Sequence, residues 1–142
     1  MTPPPPTTNL APAKTIRILH AALTSGVVLF ALVAHFVMKP AVAQDAQWAP
    51  AISSALLVAS LCACAVGLVM RRRVPRRSTG QSADLFWTAA SAPALITWAL
   101  FEGASMLAVF DYARTGQAAV LVVAAIGVAL MIAFHPARLE RA

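Results

Sequence analysis

Charge is scarce in this chain. Only 11% of its 142 residues are Asp, Glu, Lys or Arg, and five of those are acidic, whereas soluble domains carry about 25% charge. That excludes an ordinary soluble domain and makes the bilayer the expected solvent. The chain also lacks a nucleophile with a base, paired carboxylates, a glycine-rich phosphate loop and any metal-ligand spacing, so no enzyme, metal site or cofactor is expected. Its two cysteines, Cys62 and Cys64, have one residue between them inside an apolar run. On a helix their side chains diverge by roughly 200°. They read as small apolar filler rather than a disulfide or a metal pair.

What is present is hydrophobicity, at 60% of residues and a mean hydropathy of +0.76. It falls into four runs, approximately 18–38, 50–70, 88–110 and 118–134. About 20 apolar residues span the hydrocarbon core, and the shorter fourth run suffices if it stands nearly upright. The expected fold is all-α, an integral membrane four-helix bundle over residues 13–142. Residues 1–12, with Pro3 to Pro6, have no apolar stripe and are expected to be a disordered tail.

Eleven Lys and Arg and a pI near 10.8 would suit nucleic acid, but no basic and aromatic segment is long enough to form a binding domain. The cations instead fit an orientation signal. Lys14 and Arg17 precede the first run, Arg71, Arg72, Arg73, Arg76 and Arg77 follow the second, and Arg138 and Arg141 follow the fourth. Lys39 and Arg114 lie on the other side. Positive loops stay cytoplasmic, so both termini are expected there, in a cell inner membrane. Trp48 and Tyr112 then mark the outer interface and Trp87 the inner one.

Helices in lipid associate through small residues and interhelical polar contacts. The second run offers Ala51, Ala55, Ala59, Ala63 and Gly67 along one stripe, the third Ala99 and Gly103, the fourth Ala125, Ala129 and Ala133. The first and third runs share a weak repeat that aligns Ser25 with Glu102 and Gly26 with Gly103. A hairpin duplication and coincidence both account for it.

Glu102 is the one ionisable residue expected at depth. It precedes Tyr112 by ten residues, roughly 15 Å of helix, which puts it near the centre of a core about 30 Å thick. An acid there costs about 2.5–3.5 kcal/mol unless it is buried in protein, paired or neutral. Ser105 shares its helix face, and Ser25 and Ser60 lie at similar depth on other helices, so these four form the candidate proton or ion site. His20, nearer the cytoplasmic side, is a secondary polar site. With His135 at similar depth, it also raises the option of axial haem ligation.

The segment Trp98-Ala99-Leu100-Phe101-Glu102-Gly103-Ala104, together with Ile16-Arg17-Ile18-Leu19-His20, resembles an uncharacterised set of small bacterial four-helix membrane proteins with an A-L-x-E-G-A pattern in the third helix. More distantly, the second and third runs with their basic loop are similar to the hairpin of the ATP synthase c subunit, the proteolipid. That resemblance implies an ion-carrying role for Glu102. The dense G-x-G-x-G run and the R-Q-P loop of the proteolipid are missing here, so the likeness is one of site rather than of machine. The expected function is a structural or accessory subunit of a membrane complex, with lipid and other membrane subunits or a second copy as partners; the alternative is proton or cation handling at Glu102.

After the first run, Pro40-Ala41-Val42-Ala43-Gln44 matches an A-x-A signal peptidase site. The apolar run before it is longer than a signal core, so retention is expected. Intact-mass measurement of the protein from membranes checks this: the full 14.9 kDa is expected, and loss of the segment up to Ala43 would remove the first span.

Overall fold

The computed structural model describes residues 11–38 and 49–141. The proline-rich tail, the A-x-A segment, Lys39 and Trp48 lie outside them. Five α-helices follow in order, α1 (Pro12–Phe36), α2 (Ala49–Arg71), α3 (Ala83–Thr115), α4 (Leu121–Ala133) and the short α5 (Pro136–Leu139), with a 3-10 turn over Ala118–Val120. No strand occurs among the described residues. Three helices, α1, Pro50–Arg71 and α3, are long and apolar enough to cross a membrane, and Ala118–Ala133 is a shorter apolar helical stretch.

Local chemistry sets the helix ends. Pro12 opens α1, where its missing N–H costs nothing. The next N–H, of Ala13, donates to the Asp84 carboxylate at 3.1 Å, so the first turn of α3 caps the first turn of α1. Ser82 caps α3 by accepting from the Leu85 N–H at 3.3 Å. At the far end Gly116 takes a left-handed φ of 72° and its N–H donates to the Tyr112 carbonyl. Pro93 removes one N–H from inside α3, yet the helix runs through it.

α3 is the axis of the fold. Its 33 residues extend about 50 Å. α4 packs along one face, and α1 and α2 flank it on either side while scarcely touching each other. The core therefore lies along α3, where Phe86, Trp87, Trp98, Phe101 and Val109 have almost no exposure. Large side chains on α3 are met by small ones on its neighbours. A Cβ on Gly67 of α2 would come within 2.6 Å of the Phe101 ring, and one on Gly127 of α4 would collide with Ser105 Oγ and sit 2.9 Å from the Phe101 carbonyl oxygen.

This pairing of large with small redistributes the expected small-residue stripes. Gly67 is buried and Ala63 half-buried, but Ala55 and Ala59 are exposed, as are Ala99 and Gly103 on α3 and Ala125, Ala129 and Ala133 on α4. The aromatic side of α3 takes the contacts within the chain, and its alanine and glycine side is left outward. Cys64 is buried and Cys62 exposed, the divergence that their spacing requires.

The two glycine environments separate in a mutation. Gly127→Ala must push α4 away from a backbone atom of α3 and is expected to cost about 1–3 kcal/mol. Gly103→Ala meets nothing within 4 Å and gains up to about 1 kcal/mol of helix propensity. Thermal unfolding in detergent should show a lowered midpoint for the first only; equal midpoints would contradict the close α3–α4 approach.

Candidate functional site

With α4, α1 and α2 on three sides of α3, its fourth side is uncovered. Leu85, Ile96 and Phe110 there are 50–61% exposed, and Ala92, Ala99 and Gly103 lie between them on the same exposed stripe. Large and small residues alternate along it, with Ile96 between Ala92 and Ala99, and a Cβ on Gly103 would meet nothing within 4 Å. This uncovered strip of the central helix is the trough.

Glu102 sits on the edge of this trough, half-buried. Its carboxylate leans against α1 at Gly26, where an added Cβ would lie 3.9 Å from Glu102 Oε1. Among the described residues it has no hydrogen bond and no ion pair.

The serines expected around Glu102 are engaged elsewhere. Ser105 is fully buried on the α4 side, donating to the Phe101 carbonyl at 2.9 Å and lying 3.2 Å from the Ala124 carbonyl of α4. Ser60 is buried and donates to the Leu56 carbonyl of its own helix at 2.9 Å. Ser25 is exposed and lines a groove with His135 and Arg141. Ser25 and Glu102, aligned in the weak repeat, thus occupy unlike surroundings.

His20 has a structural task. Pro136 has no N–H, and the His135 N–H turns to the Ile132 carbonyl, so the last turn of α4 leaves carbonyls without helical partners. His20 Nε2 donates to the Met131 carbonyl at 3.0 Å, and Trp98 Nε1 donates to the Phe134 carbonyl at 3.0 Å. One residue of α1 and one of α3 together hold the end of α4. The His20 and His135 rings meet edge to face with centroids 5.0 Å apart, a direct ring contact that leaves no room between them for a haem.

Two polar networks at the ends escaped sequence reasoning. At the end bearing the arginine loop, Arg17 grips both carboxylate oxygens of Glu140 at 2.9 and 2.7 Å, and Trp87 Nε1 donates to Glu140 Oε1 at 2.8 Å. α1, α3 and α5 are thereby tied at one carboxylate. At the opposite end the buried Asp111 accepts from Ser53 Oγ of α2 and from Arg114, each at 2.9 Å, and the Tyr112 hydroxyl lies 2.7 Å from His35 Nδ1 of α1. The i,i+3 spacing of Asp111 and Arg114 was a usable signal; the pairing of Arg17 with Glu140, 123 residues apart, gave none.

No protein-family model, curated protein or solved structure matches the chain.

Burial alone would raise the Glu140 carboxyl, but the hydrogen bonds from Trp87 and Arg17 and the charges of Arg17 and Arg77 outweigh it and hold the group below its ordinary value of 4.5. A carboxyl so depressed stabilises the fold at neutral pH, and that contribution is lost as pH falls below about 4.5 and through the folded-state value. Thermal midpoints in detergent should therefore fall with acidification in the native protein. Glu140→Gln, expected to cost about 1–2 kcal/mol at neutral pH, should flatten that part of the profile; an unchanged profile would contradict the assignment.

Proposed function

We propose that the chain is a small accessory subunit of a membrane complex, crossing the bilayer four times with both termini on the arginine side, and that it receives a further transmembrane helix in the trough on α3. The observation that carries this reading is Glu102, a carboxyl group without a hydrogen-bond partner among the described residues, at the edge of an uncovered face that carries Ala92, Ala99 and Gly103. In a bilayer such a group is costly unless it is bonded, and small residues permit the close backbone approach through which membrane helices associate. The trough supplies the approach, and a donor on the incoming helix satisfies the acid. The docked helix belongs to another subunit or to a second copy.

The alternative is proton or cation handling at Glu102. It needs a polar route to each surface. The exposed positions of α3 nearest Glu102, Ile96, Ala99, Gly103 and Phe110, carry no polar side chain, and the exposed Thr88, nearer the arginine loop, donates to the Asp84 carbonyl of its own helix; this favours the accessory role.

In mild detergent extracts of native membranes, Gly103→Leu, which fills open space in the isolated chain, should shift the protein from a larger assembly to the size of the single chain. Glu102→Gln keeps a hydrogen-bonding group and should retain the assembly. Proton flux in reconstituted vesicles that disappears in Glu102→Gln, with assembly intact, would establish the alternative.

A further inference from the structure

A second surface has a different chemistry. The seam between α1 and α4 is barely closed, and three depressions run into one another along it. The first, of about 500 Å³ at the arginine end, is walled by His20, Thr24 and Ser25 of α1 and by His135, Arg138 and Arg141. The second, of about 610 Å³, runs between the apolar flanks of the two helices, with Val28 and Leu32 facing Ala125 and Ala129. Ile132 lines both, and a third depression on the outer side of α1 shares Thr24 and Ser25 with the first and Val28 and Leu32 with the second. From Ala21 to Phe36 the groove follows α1 for about 22 Å.

Its charge is uncompensated at one end. Arg138 and Arg141 are exposed and form no ion pair with a described residue, and the carboxylate between them in sequence, Glu140, is held by Arg17 and Trp87. His135 Nδ1 accepts from the Ala137 N–H at 3.2 Å, which places the proton of the neutral ring on Nε2 and leaves that atom a donor. The rest of the groove is almost wholly apolar. A matching occupant is therefore anionic at one end and hydrocarbon along the remainder. A free anion would fill only the first part, and an apolar helix only the second.

We propose that this groove binds one anionic phospholipid, its phosphate held by Arg138, Arg141 and the His135 N–H and an acyl chain laid along the α1–α4 seam. Basic pockets between membrane helices on the positively charged side attract such headgroups, at about 1 kcal/mol per arginine near the surface. The inference rests on the membrane-spanning part of the function proposed above, and on no property of Glu102.

The test reconstitutes the full chain into phosphatidylcholine vesicles with and without phosphatidylglycerol. Flotation after alkaline washing reports insertion. Native mass spectrometry of the re-extracted protein reports retained lipid. One phosphatidylglycerol is expected to remain bound in preference to phosphatidylcholine. The double variant Arg138→Gln, Arg141→Gln, altered only at exposed positions, should lose about 30-fold in affinity, and Ala129→Phe, which fills the apolar stretch, should also lose retention with an unchanged thermal midpoint. The control pair Arg72→Gln, Arg73→Gln should keep the lipid. A chain that fails to float was never membrane-spanning, and that failure overturns both readings. A chain that floats but retains no phosphatidylglycerol, loses it equally in the control pair, or yields it to inorganic phosphate overturns the lipid site alone.

Discussion

The fold depends on the fit of large side chains on α3 into small residues on its neighbours. Phe101 is fully buried because Gly67 and Gly127 let α2 and α4 approach α3 to contact distance, and Trp87 and Trp98 are buried in a cluster with Ile16 of α1, Val74 of the loop after α2 and Leu139 of α5. In lipid, whose tails are as apolar as leucine, helices associate through dispersion contacts and satisfied polar groups rather than through burial from water. Trp98 contributes both, filling the interior while donating to the Phe134 carbonyl. Once α3 is wrapped with its aromatic side inward, its alanine and glycine side has to face out.

Polar groups are placed with the same economy. At each end of the bundle a buried or half-buried carboxylate ties helices together, Glu140 through Arg17 and Trp87, and Asp111 through Ser53 and Arg114. His20 closes an open carbonyl at the end of α4. Glu102 has no hydrogen bond or ion pair among the described residues, and it lies at the edge of the side on which the central helix is bare. These two facts have independent origins, one in a side chain and one in packing, and they coincide in space.

The helical runs were legible in the sequence, since apolar stretches of about 20 residues allow few alternatives, but their ends were not: α1 begins at Pro12 and α3 spans Ala83–Thr115, beyond the expected 18–38 and 88–110, because Pro12, Ser82 and Gly116 set the ends outside the apolar runs. The facing of those helices was not legible either. α3 is apolar around most of its circumference, so no polar stripe identifies its outer side, and Ala99 with Gly103 reads as a contact surface whether the contact is made within the chain or beyond it. Ser105 illustrates the difficulty. Three residues from Glu102, it shares a broad helix face with it, but the offset of about 60° between such positions was enough to turn it to α4 and Gly127 instead. Contacts such as Arg17 with Glu140 or His20 with Met131 join distant segments, and only the packed chain brings them together.

The central claim is that the bare side of α3 is a helix-docking face. Photo-crosslinking in native membranes tests it most directly, with a photoreactive aliphatic side chain in place of Ile96 in the trough and, separately, of Val122, which is 61% exposed on α4. The account predicts that the Ile96 position crosslinks to one discrete membrane protein, a partner subunit or a second copy, while the Val122 position labels lipid. Labelling of lipid alone from both positions would contradict it.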